Sequence, residues 1–116
     1  MNPWRDHAMP AIRHEALYGD RVVRCFVDRP AVVCEGRRWN YAETGARSER
    51  IAAGLAASGI GAGDRVILFL SNRPEFLFVL VAVQRLGAIA VPVGVREQRP
   101  GLAYVANQCG AKAIVF

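Results

Sequence analysis

The stretch from Asp64 to Val93 constrains the fold more than any other part of the chain. Arg65 to Leu70 is a short apolar run closed by Ser71 and Asn72, which predicts a strand buried on both faces. Pro74 then opens a helix, because a first helical turn needs no N–H from its residue and proline's φ is already helical. Gly87 closes it. Between them Phe76 to Val83 runs apolar without a break, so this helix must be covered on every side. The run is too short to cross a bilayer. Ala88 to Val93 returns as a second strand, and two strands joined by one helix are most simply a right-handed βαβ unit of a parallel sheet.

Parallel sheets need helices on both faces, and the flanking sequence offers them. Residues 1–10 hold two prolines and no periodicity and read as a leader. Ala11 to Tyr18 has Ile12, Ala16 and Leu17 on one helical face, and Asp20 can cap a further turn or two through Arg24. Ala31 to Cys34 and Arg37 to Tyr41 flank Glu35-Gly36, a tight-turn dipeptide, and predict an antiparallel hairpin whose outward arginines protect an edge. Asn40 lies three residues before Glu43, the spacing of a capping box, so a helix is expected from Tyr41 to Ser58. Its buried stripe is Tyr41, Gly45, Ser48, Ile51, Ala52 and Leu55, and Glu43 with Arg47 forms an i,i+4 pair outside. Its many Gly and Ala residues make it thin, which predicts close packing against a sheet.

Gly59, Gly61 and Gly63 resemble a phosphate loop only in composition. Such a loop follows a strand and precedes a helix, so that helix N–H groups face the anion. Here the order is reversed, and the glycines read as a left-handed helix cap and a turn into the strand. Further on, Gly94 to Pro100 reads as a polar loop. Leu102 to Cys109 follows as a helix buried through Leu102, Val105, Ala106 and Cys109, with Gly110 as its cap. Lys112 to Phe116 is a third strand. The series stops on a strand with no following helix, which is the expected form of a truncated domain.

Charge and cysteines exclude several classes. The net charge is +5, and all but one of the fifteen basic residues is arginine. Arg37 and Arg38 are the only adjacent basic pair, so the arginines read as scattered over a solvated surface and no nucleic-acid footprint is expected. Cys25, Cys34 and Cys109 have no metal-ligand spacing and suggest reduced thiols in the cytoplasm. His7 and His14 stand apart from any acidic or cysteine cluster. No signal-peptide core follows Met1.

Across residues 11–116, the order of several words resembles the N-terminal part of the adenylate-forming superfamily, which includes AMP-forming acyl-CoA synthetases and the adenylation domains of peptide synthetases. The words are Arg29-Pro30-Ala31-Val32-Val33, Asn40-Tyr41-Ala42-Glu43, Leu55 through Gly59, and Gly61 with Gly63-Asp64-Arg65-Val66. Asn72-Arg73-Pro74-Glu75-Phe76, Leu86-Gly87-Ala88, Val91-Pro92-Val93 and Tyr104 through Lys112 continue them. The loop Val93 to Pro100 departs from the family, which more often has asparagine or aspartate with a proline before the arginine.

The resemblance implies an α/β fold: a mostly parallel sheet flanked by helices, with an N-terminal β-hairpin, as one part of the large N-terminal domain. It also implies a two-step reaction in which a carboxylate and ATP give an acyl-adenylate and pyrophosphate, and coenzyme A then takes the acyl group. ATP, Mg²⁺ and coenzyme A would serve the full-length enzyme, and fatty or aromatic acids are the acyl classes the family most often uses. The family's Gly-rich Pro-Lys-Gly loop, ribose-binding aspartate and catalytic lysine have no counterpart among these residues. No catalytic, cofactor-binding or metal residue is therefore assigned, and the chain is expected to bind none of these cofactors, to be inactive alone, and to self-associate through the sheet edge near Ala113 to Phe116 or through surface that the full-length enzyme would bury. Two other readings stay open: a free-standing α/β binding module using the strand ends near Ser71 and Val93, and a subunit completed by a second chain.

Overall fold

The computed structural model describes residues 27–116. The expected leader and the helices over residues 11–18 and 20–24 lie outside the described residues. In chain order the elements are β1 (Pro30–Cys34), β2 (Arg37–Asn40), α1 (Tyr41–Ala57), β3 (Arg65–Leu68), α2 (Pro74–Arg85), β4 (Ile89–Pro92), α3 (Arg99–Cys109) and β5 (Ala111–Val115).

The hairpin forms as the Glu35-Gly36 turn requires. Both residues take positive φ, 49° and 78°, as the tight turns matching strand twist demand. Strands β1 and β2 pair antiparallel from Cys34 with Arg37 to Pro30 with Asn40, with an irregularity near Ala31. β2 ends one residue before the expected Tyr41 because Asn40 is already committed to the next helix. Its Oδ1 accepts from the Glu43 N–H at 2.7 Å, and Glu43 Oε2 accepts from the Asn40 N–H at 3.0 Å. That reciprocal pair is the capping box. The N–H groups of Tyr41 and Ala42 are held by the carbonyls of Arg29 and Val27.

The second sheet is parallel, in the order β4-β3-β5, so β3 is central. Val66, Ile67 and Leu68 are fully buried, as a strand flanked on both sides should be. Val66 and Leu68 share one face and pack with Val79 and Val83 of α2, together with Ile60 and Ala88. Arg65 lies on the opposite face with Ile67, and its Nε donates to the Cys109 carbonyl at the end of α3, at 2.6 Å. The two crossover helices therefore cover opposite faces.

The apolar helix α2 is covered almost all round: Phe78, Val79, Val81, Ala82 and Val83 are buried, and Leu77 is the exposed exception. The thin helix α1 packs chiefly on α2 and also on the two-stranded hairpin sheet, while its Ile51 and Leu55 reach the core that β3 shares with α2. The reason lies in α2, whose one side is taken by β3 and β4 and whose other side still demands an apolar partner. Small side chains on α1, Thr44, Ser48 and Ala52, are buried at that contact. Ser48 Oγ donates to the Thr44 carbonyl at 2.8 Å, while Thr44 Oγ1 is buried without a partner. Trp39 of β2 meets Phe78 edge to face at 5.8 Å, joining the hairpin to the same interface.

Two further expectations are corrected. Helix α3 begins at Arg99 and not at Leu102, because Pro100 sits in its first turn, where proline is tolerated. Its Leu102, Val105, Ala106 and Cys109 face is half-buried, and no residue of α3 is fully covered. The Glu43–Arg47 pair is also absent, since Glu43 serves the cap and the Arg47 guanidinium lies 5.7 Å from the Phe78 ring centre. No helix among the described residues is long and apolar enough to cross a membrane.

Candidate functional site

The carboxyl ends of parallel strands are where open α/β sheets place ligands. Ser71 and Val93, expected to mark such a site, follow the adjacent strands β3 and β4 at that end, and the Val93 N–H donates to the Leu68 carbonyl at 3.0 Å. From there the loop into α2 rises against the hairpin and leaves a groove of 350 Å³. Cys34, Arg37 and Trp39 form one wall, and Ser71, Arg73 and Glu75 line the other. Arg73 Nε donates to Ser71 Oγ at 2.9 Å, which fixes the lip of the groove. An apolar continuation of 270 Å³ runs past Val32, Pro74 and Phe76.

This arrangement can bind but carries no reacting constellation. The groove's arginines suit an anion and its continuation suits an apolar group, yet no groove side chain pairs a nucleophile with a base. Among the described residues no group of three or more His, Cys, Asp or Glu side chains could hold a metal ion.

The chain's single lysine is structural. Lys112 Nζ donates to the Gly59 carbonyl at 2.7 Å and contacts Asp64 Oδ2 at 3.2 Å, tying β5 to the turn after α1. Asp64 Oδ2 also accepts from the Gly61 N–H at 2.8 Å. That backbone hydrogen bond, then Lys112, holds the Asp64 carboxyl below the ordinary aspartate range. The glycines that mimic a phosphate loop thus belong to a turn, with Gly59 and Gly63 at positive φ.

The arginines correct a sequence reading. Scattered in the chain, Arg37, Arg38, Arg47 and Arg50 line one concavity of 380 Å³ between β2 and α1. Asn40 ends the strand and caps the helix at once, so strand and helix positions 9 to 13 residues apart share one wall. Arg47 and Arg50, three apart on one helix face, were the available signal. Its pairing with Arg37 and Arg38 needed the geometry of the junction.

The AMP-binding enzyme family matches residues 19–116. Triostin synthetase I of Streptomyces triostinicus is 35% identical, over 96% of this chain and 23% of that protein. The long-chain-fatty-acid–CoA ligase FadD13 of Mycobacterium tuberculosis is 35% identical, over 68% of this chain and 16% of the ligase. Among solved structures, the NpsA N-terminal subdomain of Klebsiella oxytoca superposes with a TM-score of 0.78 at 26% identity, covering 83% of this chain and 25% of that one. The chain spans less than a quarter of the length of the curated relatives named here. Its hairpin, capped helix and three-stranded parallel sheet are a short piece of their fold, and the chain belongs to the AMP-binding enzyme family of adenylate-forming ligases.

Proposed function

We propose that residues 11–116 are the opening layer of an AMP-forming acyl-CoA synthetase, an enzyme that joins a carboxylate to ATP as an acyl-adenylate, releases pyrophosphate and passes the acyl group to coenzyme A. The observation that carries this reading is the family match over residues 19–116, supported by similarity to a long-chain-fatty-acid–CoA ligase. Within that reading the segment's role is architectural: the α2 core and the capped α1 form a platform for parts that gather phosphate charge and metal. ATP, Mg²⁺, coenzyme A and a fatty or other small carboxylate belong to the whole enzyme, and none of this chain's residues is assigned to the reaction. Cys34 and Cys109 are free thiols, which supports a reducing cytoplasmic setting.

The 116-residue chain alone is proposed to be inactive. Purified, it should show no carboxylate-dependent exchange of pyrophosphate into ATP, and exchange above a contaminant-free blank would overturn that statement. The family role has its own test. Residues 27–116 grafted over the matching segment of a long-chain-fatty-acid–CoA ligase should leave a folded enzyme that still forms acyl-adenylate. A folded graft without adenylation would contradict the reading of this segment as an interchangeable platform.

A further inference from the structure

The concavity between β2 and α1 goes beyond that architectural role. Four guanidinium groups, Arg37, Arg38, Arg47 and Arg50, line a space of 380 Å³, within the range of small-ligand sites. Among the described residues none of the four is in an ion pair. One carboxylate, Glu43, lines the same space with its Oε2 accepting from the Asn40 N–H, so four cations face a single anion. Two of the arginines are also held in place without using their donors. The Arg37 guanidinium lies over the Trp39 ring, 4.7 Å from its centre, and that of Arg47 lies 5.7 Å from the Phe78 ring centre. A guanidinium held against a ring by cation–π attraction keeps its N–H fork free, the donor set that recognises phosphate oxygens in pairs.

We propose that this four-arginine concavity binds a multiply charged phosphate anion of small-molecule size, with Arg37 and Arg47 as fixed forks and Arg38 and Arg50 as mobile clamps. A single carboxylate would satisfy one fork and leave three cations facing one another, whereas a chain of phosphates meets several at once. Nucleic acid fits less well, because the one aromatic lining the space, Trp39, already has an arginine against its ring and offers no free stacking face.

The test uses the 116-residue chain and inorganic triphosphate, titrated by calorimetry at low ionic strength. Saturable one-to-one binding is expected, weakening as salt rises. The double variant Arg38→Gln/Arg50→Gln removes two exposed, unpaired side chains and should keep the far-ultraviolet circular dichroism of the parent. It should lose at least about tenfold in affinity, as expected when charge-assisted hydrogen bonds are removed. Arg96→Gln/Arg99→Gln removes the same charge elsewhere and should bind like the parent. Equal loss in both double variants would reduce the effect to net charge and overturn the proposal. So would absence of saturable binding, or tighter binding of a DNA duplex or an acidic peptide at the same four arginines.

Discussion

The two crossover helices of this small sheet obey the same connection rule and end in different states. On the α2 face, Val66, Leu68 and Val83 are wholly shut from solvent, and α1 closes the far side of α2. On the α3 face only the central Ile67 is sealed; Ile89 and Ile114 on the flanking strands are 50% and 40% exposed, and Phe116 is 91% exposed. A βαβ unit places its apolar residues correctly, but it takes a third layer to finish their burial. Helix α2 has that layer in α1. Among the described residues α3 has none.

The largest expected effect tests this asymmetry directly. Leu68→Ala should cost about 2–5 kcal/mol, the range for truncating a fully buried leucine, whereas Leu102→Ala on half-buried α3 should cost less than about 2 kcal/mol. Urea midpoints of the two variants measure the difference, and equal losses would break the comparison. Gly110→Ala comes next. Gly110 caps α3 at a left-handed φ of 63°, and an added Cβ would lie 2.9 Å from Arg65 Nη2. The substitution should cost about 1–2 kcal/mol by backbone conformation alone. A neutral result would mean that α3 contributes almost nothing to stability.

On the α1 side, Asn40→Ala removes the acceptor of the capping box and should cost about 1 kcal/mol. Thr44→Val at the same helix should act the other way. Thr44 Oγ1 is buried without a hydrogen bond, so replacing it with a methyl group should raise stability by about 1 kcal/mol. Loss of stability in a thermal melt would reveal a partner for that hydroxyl.

The smallest effect is one of pH. Because Asp64 has a lower pKa folded than unfolded, its contribution is fully present above the unfolded aspartate value and is lost as pH falls through the folded one. Asp64→Asn should therefore flatten the acid limb of the stability curve and leave the neutral limb parallel to the parent. An unchanged acid limb would show that the Gly61 and Lys112 contacts carry no linkage.

Much of this was readable in the sequence where a local chemical rule has one outcome. Pro74 can begin a helix but not continue one, Glu35-Gly36 supplies the positive φ of a tight turn, and Asn40 with Glu43 closes a capping box from residues three apart. The failures share a different cause. That α1 packs on α2, that Arg47 turns to Phe78, and that four arginines meet in one concavity all depend on which elements become neighbours. The thinness of α1 announced a close contact with a sheet, and the contact it makes is chiefly with α2, with the hairpin sheet second. The expected self-association through Ala113 to Phe116 remains a proposal of the same kind, resting on an edge strand with exposed Ile114 and Phe116. Sedimentation under reducing conditions should find dimers or larger species, and a monomer at micromolar concentration would contradict it.

The central claim, a finished core on one face of the sheet and an unfinished one on the other, is most directly tested by native-state amide hydrogen exchange. Local openings report the free energy holding each element, from near zero up to the global value. The account predicts that amides of Val66 to Leu68 and of the α2 interior exchange only through global unfolding, while those of α3 and the outer positions of β5 exchange through cheaper local openings. Uniform protection of α2 and α3 at the global limit would contradict it.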